Sequence, residues 1–240
     1  MAEDTKIQWT DNTWNPWRGC SKVSPGCKNC YMFSDQKRYG MDPTLVTRTK
    51  SGTFNKPLSW SKNLQAGESL RVFTCSWSDW FHPEADEWRD DAWAIVRKTP
   101  NIIYQILTKR PHLISNRLPS DWGEGYENVW LGISAEDQNH FDERWPLLDN
   151  TYAKVKFVSY EPALGPLSVA AHLSSKEWSG VPDWIIAGGE SGSGARSFDP
   201  AWASTLVEES RSLGFKLFVK QMGVFSSHEQ GYSVARRDRV

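Results

Sequence analysis

Leu70-Arg71-Val72-Phe73-Thr74-Cys75, the polar turn Ser76-Trp77-Ser78-Asp79, the amphipathic run Pro83–Lys98 and then Ile102-Ile103-Tyr104-Gln105-Ile106-Leu107 make one strand–helix–strand period. The two outer pieces are short, apolar and rich in branched residues, as expected of strands covered on both faces. Between them, Ala85, Trp88, Ala92, Ile95 and Val96 recur at helical spacing, and Pro83 suits the first turn of a helix. A strand, a covering helix and a second strand imply parallel pairing through a crossover.

The same period continues outward. Strands are expected at Val129–Ser134, Val155–Tyr160, Trp184–Ala187 and Phe215–Lys220. Helices are expected at Pro111–Arg117, Gln138–Leu148, Leu167–Ser174 and Pro200–Leu213. Six or seven such units predict an α/β fold, a full or partial parallel (β/α) barrel, with an open doubly wound sheet as the competing arrangement. Residues 1–225 read as one domain carrying a cysteine loop at 18–31. Met41–Ala66 has weak periodicity and reads as an irregular insertion. Residues 226–240 form a polar tail ending in Arg236, Arg237 and Arg239.

Each strand runs into polar residues. Ser78 and Asp79 follow the first of these strands, Thr108-Lys109-Arg110 the next, then Ser134-Ala135-Glu136-Asp137, Tyr160-Glu161-Pro162, Gly188-Gly189-Glu190-Ser191 and Lys220-Gln221. In barrels and open α/β sheets, ligands bind at this carboxyl edge. A single such cluster is explained as a helix N-cap; six in register predict a functional rim. Glu161 reads as a substrate or cofactor ligand. The glycine-rich 188–196 turn offers backbone amides, and Arg196 a fork, to a phosphate.

The net charge of −1 hides an asymmetry, because residues 1–70 carry ten Lys/Arg against six Asp/Glu. Arg18, Lys22, Lys28, Lys37 and Arg38 crowd the cysteine loop, and such a cluster attracts anionic partners or nucleic acid. The 14 tryptophans read mainly as core, although aromatics interleaved with basic residues also stack nucleobases. No apolar run reaches membrane-spanning length and Met1–Asp11 lacks a signal-peptide core, so a cytoplasmic protein without membrane contact is expected. A hydrolase of the nucleophile-elbow type or a zincin is excluded, since neither G-x-S-x-G nor H-E-x-x-H occurs.

Three of the four cysteines, Cys20, Cys27 and Cys30, lie within eleven residues. Clustered thiols in a reducing compartment point to metal binding rather than to disulfides. Pro25-Gly26 supplies a turn that folds Cys20 back toward the Cys27/Cys30 pair. Three thiolates leave one position open: zinc would need His82, His112 or Cys75 as a fourth ligand, whereas an iron–sulfur cluster leaves it for a small molecule.

Three cysteines ahead of a parallel barrel, the last followed by Tyr31, resemble the radical S-adenosylmethionine (SAM) superfamily. The blocks Cys75-Ser76-Trp77-Ser78-Asp79, Leu107-Thr108-Lys109-Arg110 and Gly132-Ile133-Ser134 resemble its spore photoproduct lyase branch over residues 14–165. The loop also resembles that of an uncharacterised phage and bacterial family. The superfamily spacing is C-x3-C-x2-C; here it is C-x6-C-x2-C, with Asn29 where an aromatic residue is usual.

The resemblance implies a 4Fe-4S cluster on Cys20, Cys27 and Cys30, and SAM contacted by Ser78, Lys109 and Ser134; Tyr31, Asp79 and Glu161 are further candidate cofactor-binding residues. It also implies an external electron donor and a 5′-deoxyadenosyl radical that abstracts hydrogen from the substrate. Cys75 would be a hydrogen-atom donor, against the bland reading of a buried core thiol. A nucleic acid or nucleotide substrate, in repair or modification, follows from resemblance and charge. The alternatives are a zinc-holding nucleic-acid-binding module without catalysis, and a barrel that has lost its cluster and serves as a phage interaction protein.

Overall fold

The computed structural model describes residues 5–175, 179–191 and 194–223; the expected tail at 226–240 lies outside them. Strands β1 (Asn12–Trp14), β4 (Leu70–Thr74), β5 (Ile102–Thr108), β6 (Val129–Ser134), β7 (Val155–Tyr160), β8 (Trp184–Gly188) and β9 (Lys216–Gln221) form one sheet. They are hydrogen-bonded in that order, every pair parallel. The sheet curls into a partial barrel. Helices α4 (Asp86–Lys98), α5 (Gln138–Asp149), α6 (Val169–Ser175) and α7 (Pro200–Leu213) follow strands in the expected alternation and cover the outside.

Strand alternation sorts the residues into two cores. Val72, Leu131, Ile133, Val158, Tyr160, Ile185 and Ala187 face the helices and join Trp93, Val96, Phe141 and Leu206 in the larger one. The opposite faces carry Trp9, Phe73, Phe157, Trp184 and Ile186, which fill the barrel interior. On β7 the sorting is plain: Phe157 belongs to the interior cluster, Val158 and Tyr160 to the helix side, and Ser159 and Glu161 line a cavity above Phe157. Gly132 is glycine because the Phe157 ring occupies the place its Cβ would take. The interior is thus an aromatic floor under a polar upper half.

The chain before β4 departs from the sequence reading. Three-residue β1 is too short to show a period, and it was not expected. Met41–Ala66 is not irregular: β3 (Thr47–Arg48) pairs antiparallel with β2 (Trp17–Arg18), and helices α2 (Ser51–Phe54) and α3 (Lys56–Asn63) follow. Two buried aromatics, Phe54 and Trp60, fix these short helices, and Pro57 opens the second. Tertiary packing supplies what periodicity lacked. Pro111–Arg117 shrinks to a single 3₁₀ turn at Pro111–Leu113.

Trp14, Trp17, Trp80 and Trp93 are fully buried and meet in a chain of ring contacts 4.9–5.8 Å between centroids. Core packing therefore accounts for these rings without a ligand. No helix among the described residues is long and apolar enough to cross a membrane.

Candidate functional site

The cysteine loop leaves β2 at Arg18, makes a 3₁₀ turn at Pro25–Cys27 and enters α1 (Tyr31–Arg38) at Cys30. It lies over the carboxyl edge of the sheet and closes one side of a cavity of about 630 Å³. Cys20, Cys27, Cys30, Tyr31, Cys75, Ser78, Asp79, Lys109, Ser134 and Glu161 all line that cavity. The three cysteines and their expected cofactor contacts therefore meet in one place, carried by the loop and by the ends of four strands, β4, β5, β6 and β7.

Three carboxylates pin the loop to the barrel. Asp79, past the end of β4, pairs with Arg110 at 3.1 Å, and both side chains are 6% exposed. Asp79 also accepts from Thr108 Oγ1 at 2.7 Å and from the amides of Phe81 and Lys109. Arg110 then reaches the loop, donating to Ser21 O and Oγ at 2.9 and 2.8 Å and to Cys20 Sγ at 3.7 Å.

The second carboxylate, Glu136, is fully buried past β6 and pairs with Lys109 and, at 2.9 Å, with Arg144. Its Oε1 accepts from Ser24 Oγ of the loop at 2.6 Å. Burial alone would raise this carboxyl, but Lys109 and Arg144 outweigh it and hold it down at about 2. Gly26 has no room for a side chain, because a Cβ there would collide with the Glu136 carboxylate.

Glu190, beyond β8, is the third. It pairs with Arg196, accepts from the Arg196 amide at 2.9 Å and takes 3.0 Å from Asn29 Nδ2, between Cys27 and Cys30. Arg196 also donates to Pro25 O at 3.0 Å. These contacts correct one expectation: the fork of Arg196 is closed on Glu190 and the cysteine loop, so it is a latch rather than an open phosphate clamp.

Three further assignments change character. The Lys109 ammonium, expected to pair with an anionic ligand, is neutralised by Glu136. Ser78 Oγ donates to Gly19 O at 2.6 Å, and Asp79 is saturated by four donors. All three hold the loop. Facing the cavity are Tyr31, which donates to Ser76 O at 3.0 Å, the paired strand residues Ser134 and Ser159, and Glu161. Burial pushes the Glu161 carboxyl up, opposed by Lys220 at 3.0 Å. Arg110, Glu136, Glu190 and Lys220 enter the sequence reading only as members of rim clusters, where the signal is a charged residue at or just beyond a strand end; Arg144, inside α5, carries no such signal.

All four cysteines are free thiols. Burial raises Cys20 to about 12, with Asp79 adding to it and Arg110 opposing; burial likewise raises Cys30. Both feel the Cys27 sulfur, so the three thiols share one neighbourhood. Cys75 ends β4 with a left-handed φ of 56° and is 3% exposed at the cavity wall. His82 does not complete a zinc set: Nδ1 accepts from the Glu84 amide and Nε2 faces Ser21 Oγ at 3.2 Å. His112 is exposed and does not line the cavity.

Among the described residues no group of three His, Cys, Asp or Glu side chains converges tightly enough for a single ion. A multi-iron cluster holds its cysteine sulfurs farther apart than one ion does. Three clustered thiols and an adjoining cavity of small-molecule size fit a cluster with one open iron.

The profile of the family described as "Protein of unknown function (DUF5131)" matches residues 4–239. No curated protein matches the sequence. Among solved structures, a cysteine-to-serine mutant of spore photoproduct lyase aligns with TM-score 0.53 at 14% identity, covering 92% of this chain and 66% of that one. Spore photoproduct lyase complexed with a dinucleoside spore photoproduct aligns with TM-score 0.49 at 14% identity, covering 88% and 63%. The chain thus spans slightly under two thirds of those proteins, and the likeness is one of fold.

Proposed function

We propose that this chain, which belongs to the DUF5131 family, is a radical SAM enzyme whose cluster sits on Cys20, Cys27 and Cys30. One observation carries the reading: three free thiols line a single cavity at the carboxyl edge of a parallel partial barrel. A reduced 4Fe-4S cluster with SAM bound supplies one-electron cleavage of the sulfonium to a 5′-deoxyadenosyl radical, the electron coming from an external donor.

The chain's own residues hold, orient and exclude. Asp79, Lys109 and Ser78 fix the loop through the contacts described above, so the sulfurs are presented before any ligand arrives. Tyr31, Ser134 and Glu161 are the cofactor or substrate contacts. The apolar floor of Trp9, Phe73 and Leu107 closes the cavity beneath and keeps water from the reacting carbon. Cys75, a thiol on the cavity wall, is the candidate hydrogen-atom donor.

A nucleic acid or nucleotide substrate is supported by the mouth of the cavity. Lys22, Lys28, Lys37 and Arg38 are exposed beside it. Tyr39, 67% exposed, lies 6.0 Å from the Trp77 ring, and both line the opening. Cations with open aromatic faces suit phosphates and bases.

The test is anaerobic reconstitution of wild type and Cys27→Ala, with iron, sulfide and zinc analysis, followed by incubation with SAM and dithionite. About four irons per chain, lost in the variant, and 5′-deoxyadenosine formed from SAM are expected. Colourless protein holding one zinc would replace this reading with the binding module. Protein that takes up neither metal would leave the barrel as an interaction fold.

A further inference from the structure

The longer first cysteine gap places Ser21 and Cys20 against a cation that no assignment above uses as a ligand. Arg110 is buried, and its guanidinium is held on one side by Asp79 at 3.1 Å. Asp79 is itself held by Thr108 and by two backbone amides, so the pair has little freedom to turn. On its other side Arg110 donates to Ser21 O and Oγ and to Cys20 Sγ at 3.7 Å. Cys27 has Ser24 Oγ at 3.8 Å; neither it nor Cys30 has a cationic donor among the hydrogen bonds of the described residues.

We infer that Arg110 is a positioning residue that tunes the centre on the cysteines through Cys20 alone, with Asp79 setting how much of its charge is felt. This rests on the proposed function, because it needs the cluster. The physics is direct. A reduced cluster carries one more negative charge than an oxidised one, and N–H donors to its sulfurs stabilise the reduced form and raise the potential. A cationic donor does so more strongly than a neutral one. A fixed carboxylate behind that cation opposes the effect, because it adds negative charge near the same sulfur. Desolvation at this site makes both effects larger than they would be at a surface.

The pair therefore predicts two shifts of opposite sign. Arg110→Gln removes the cation and leaves Asp79, so reduction becomes harder. Asp79→Asn removes the counter-charge and leaves Arg110, so reduction becomes easier. Loss of loop order would admit water in both variants and move both potentials the same way. That difference separates tuning from a merely structural role.

The experiment is an EPR-monitored redox titration of the reconstituted full chain, without SAM, for wild type, Arg110→Gln, Arg110→Lys and Asp79→Asn. Iron and sulfide contents are measured in parallel. The expected result is about a tenfold fall in the reduction equilibrium constant for Arg110→Gln and about a tenfold rise for Asp79→Asn, each ~59 mV for one electron. Arg110→Lys keeps the charge and falls between wild type and Gln. If Arg110→Gln does not load iron, the sign for Asp79→Asn and the Lys variant decide the matter.

Potentials that stay within a few millivolts of wild type, or that all move in one direction, overturn the inference while leaving the cluster in place. Wild-type protein that takes up no iron overturns both, and the metal analysis distinguishes the two failures.

Discussion

Glu136→Gln is the perturbation that most directly tests how the cysteine loop is held. The carboxylate is fully buried, pairs with Lys109 and Arg144 and accepts from Ser24 of the loop. Its ionisation sits at about 2 against the usual 4.5, which corresponds to about 3 kcal/mol of stabilisation at neutral pH. Removing one partner from a buried ion pair independently suggests a cost of about 3–5 kcal/mol, because it strands the other charges. The two routes agree, so a loss of about 3 kcal/mol is expected at pH 7.

The sign with pH follows from the depressed folded value. The contribution is complete above the unfolded value and is lost as pH falls toward 2. By linkage the wild-type advantage shrinks to about 1 kcal/mol at pH 3. The assay is urea unfolding of the wild type and variant at both pH values. With a slope of about 2 kcal/mol/M, the midpoint drops by about 1.5 M at pH 7. A difference below about 1 kcal/mol at pH 7, or one that stays constant down to pH 3, would refute the idea of a buried, charged hub.

Other expectations concern the loop and its thiols. Gly26→Ala drives a methyl group into the Glu136 carboxylate; thermal denaturation should show a lower Tm, by several degrees if the backbone gives way, and iron uptake should drop with it. Asn29→Ala together with Arg196→Ala removes the latch to Glu190 and Pro25, so limited proteolysis should cut within 18–31 faster than in wild type while global unfolding changes by less than it does for Glu136→Gln. Burial raises the pKa of Cys20 and Cys30 and so favours the protonated thiols, and metal loading must displace their protons. Iron uptake should therefore speed up from pH 6.5 to 8.5 and release protons to a pH indicator; a flat profile contradicts that.

The units from β4 onward were legible because their strands carry continuous apolar runs and their helices a 3.6-residue stripe. The cysteine cluster was legible because the spacing of residues within one loop is a local property of the chain. What escaped is non-local. Nothing in Ala135-Glu136-Asp137 says that Lys109, Arg144 and Ser24 meet on one carboxylate, since Lys109 and Glu136 follow different strands, Arg144 lies in α5 and Ser24 in the cysteine loop. Asp79 and Lys109 do lie at the rim, yet their charges face Arg110 and Glu136 rather than open space. Phe54 and Trp60 become helix anchors only once the outer core exists to receive them.

The carboxylate arrangement also explains why a six-residue first gap is tolerable. A longer loop between two ligands costs conformational entropy to order, and a flexible one would present its sulfurs poorly. Here the added length is tied down along its course: Ser21 by Arg110, Ser24 by Glu136, Pro25 by Arg196. Each tie comes from a charged residue beyond a different strand, and each of the three is itself ion-paired. The barrel edge thus spends its charged residues mainly on shaping the loop. Tyr31, Ser134, Ser159 and Glu161, with Lys220 behind the last, remain as the groups that meet a ligand. Specificity for what enters the cavity should therefore be sought at Ser134, Ser159, Glu161 and Lys220 on β6, β7 and β9, and order in the cysteine loop on the charged residues just beyond β4, β5, β6 and β8.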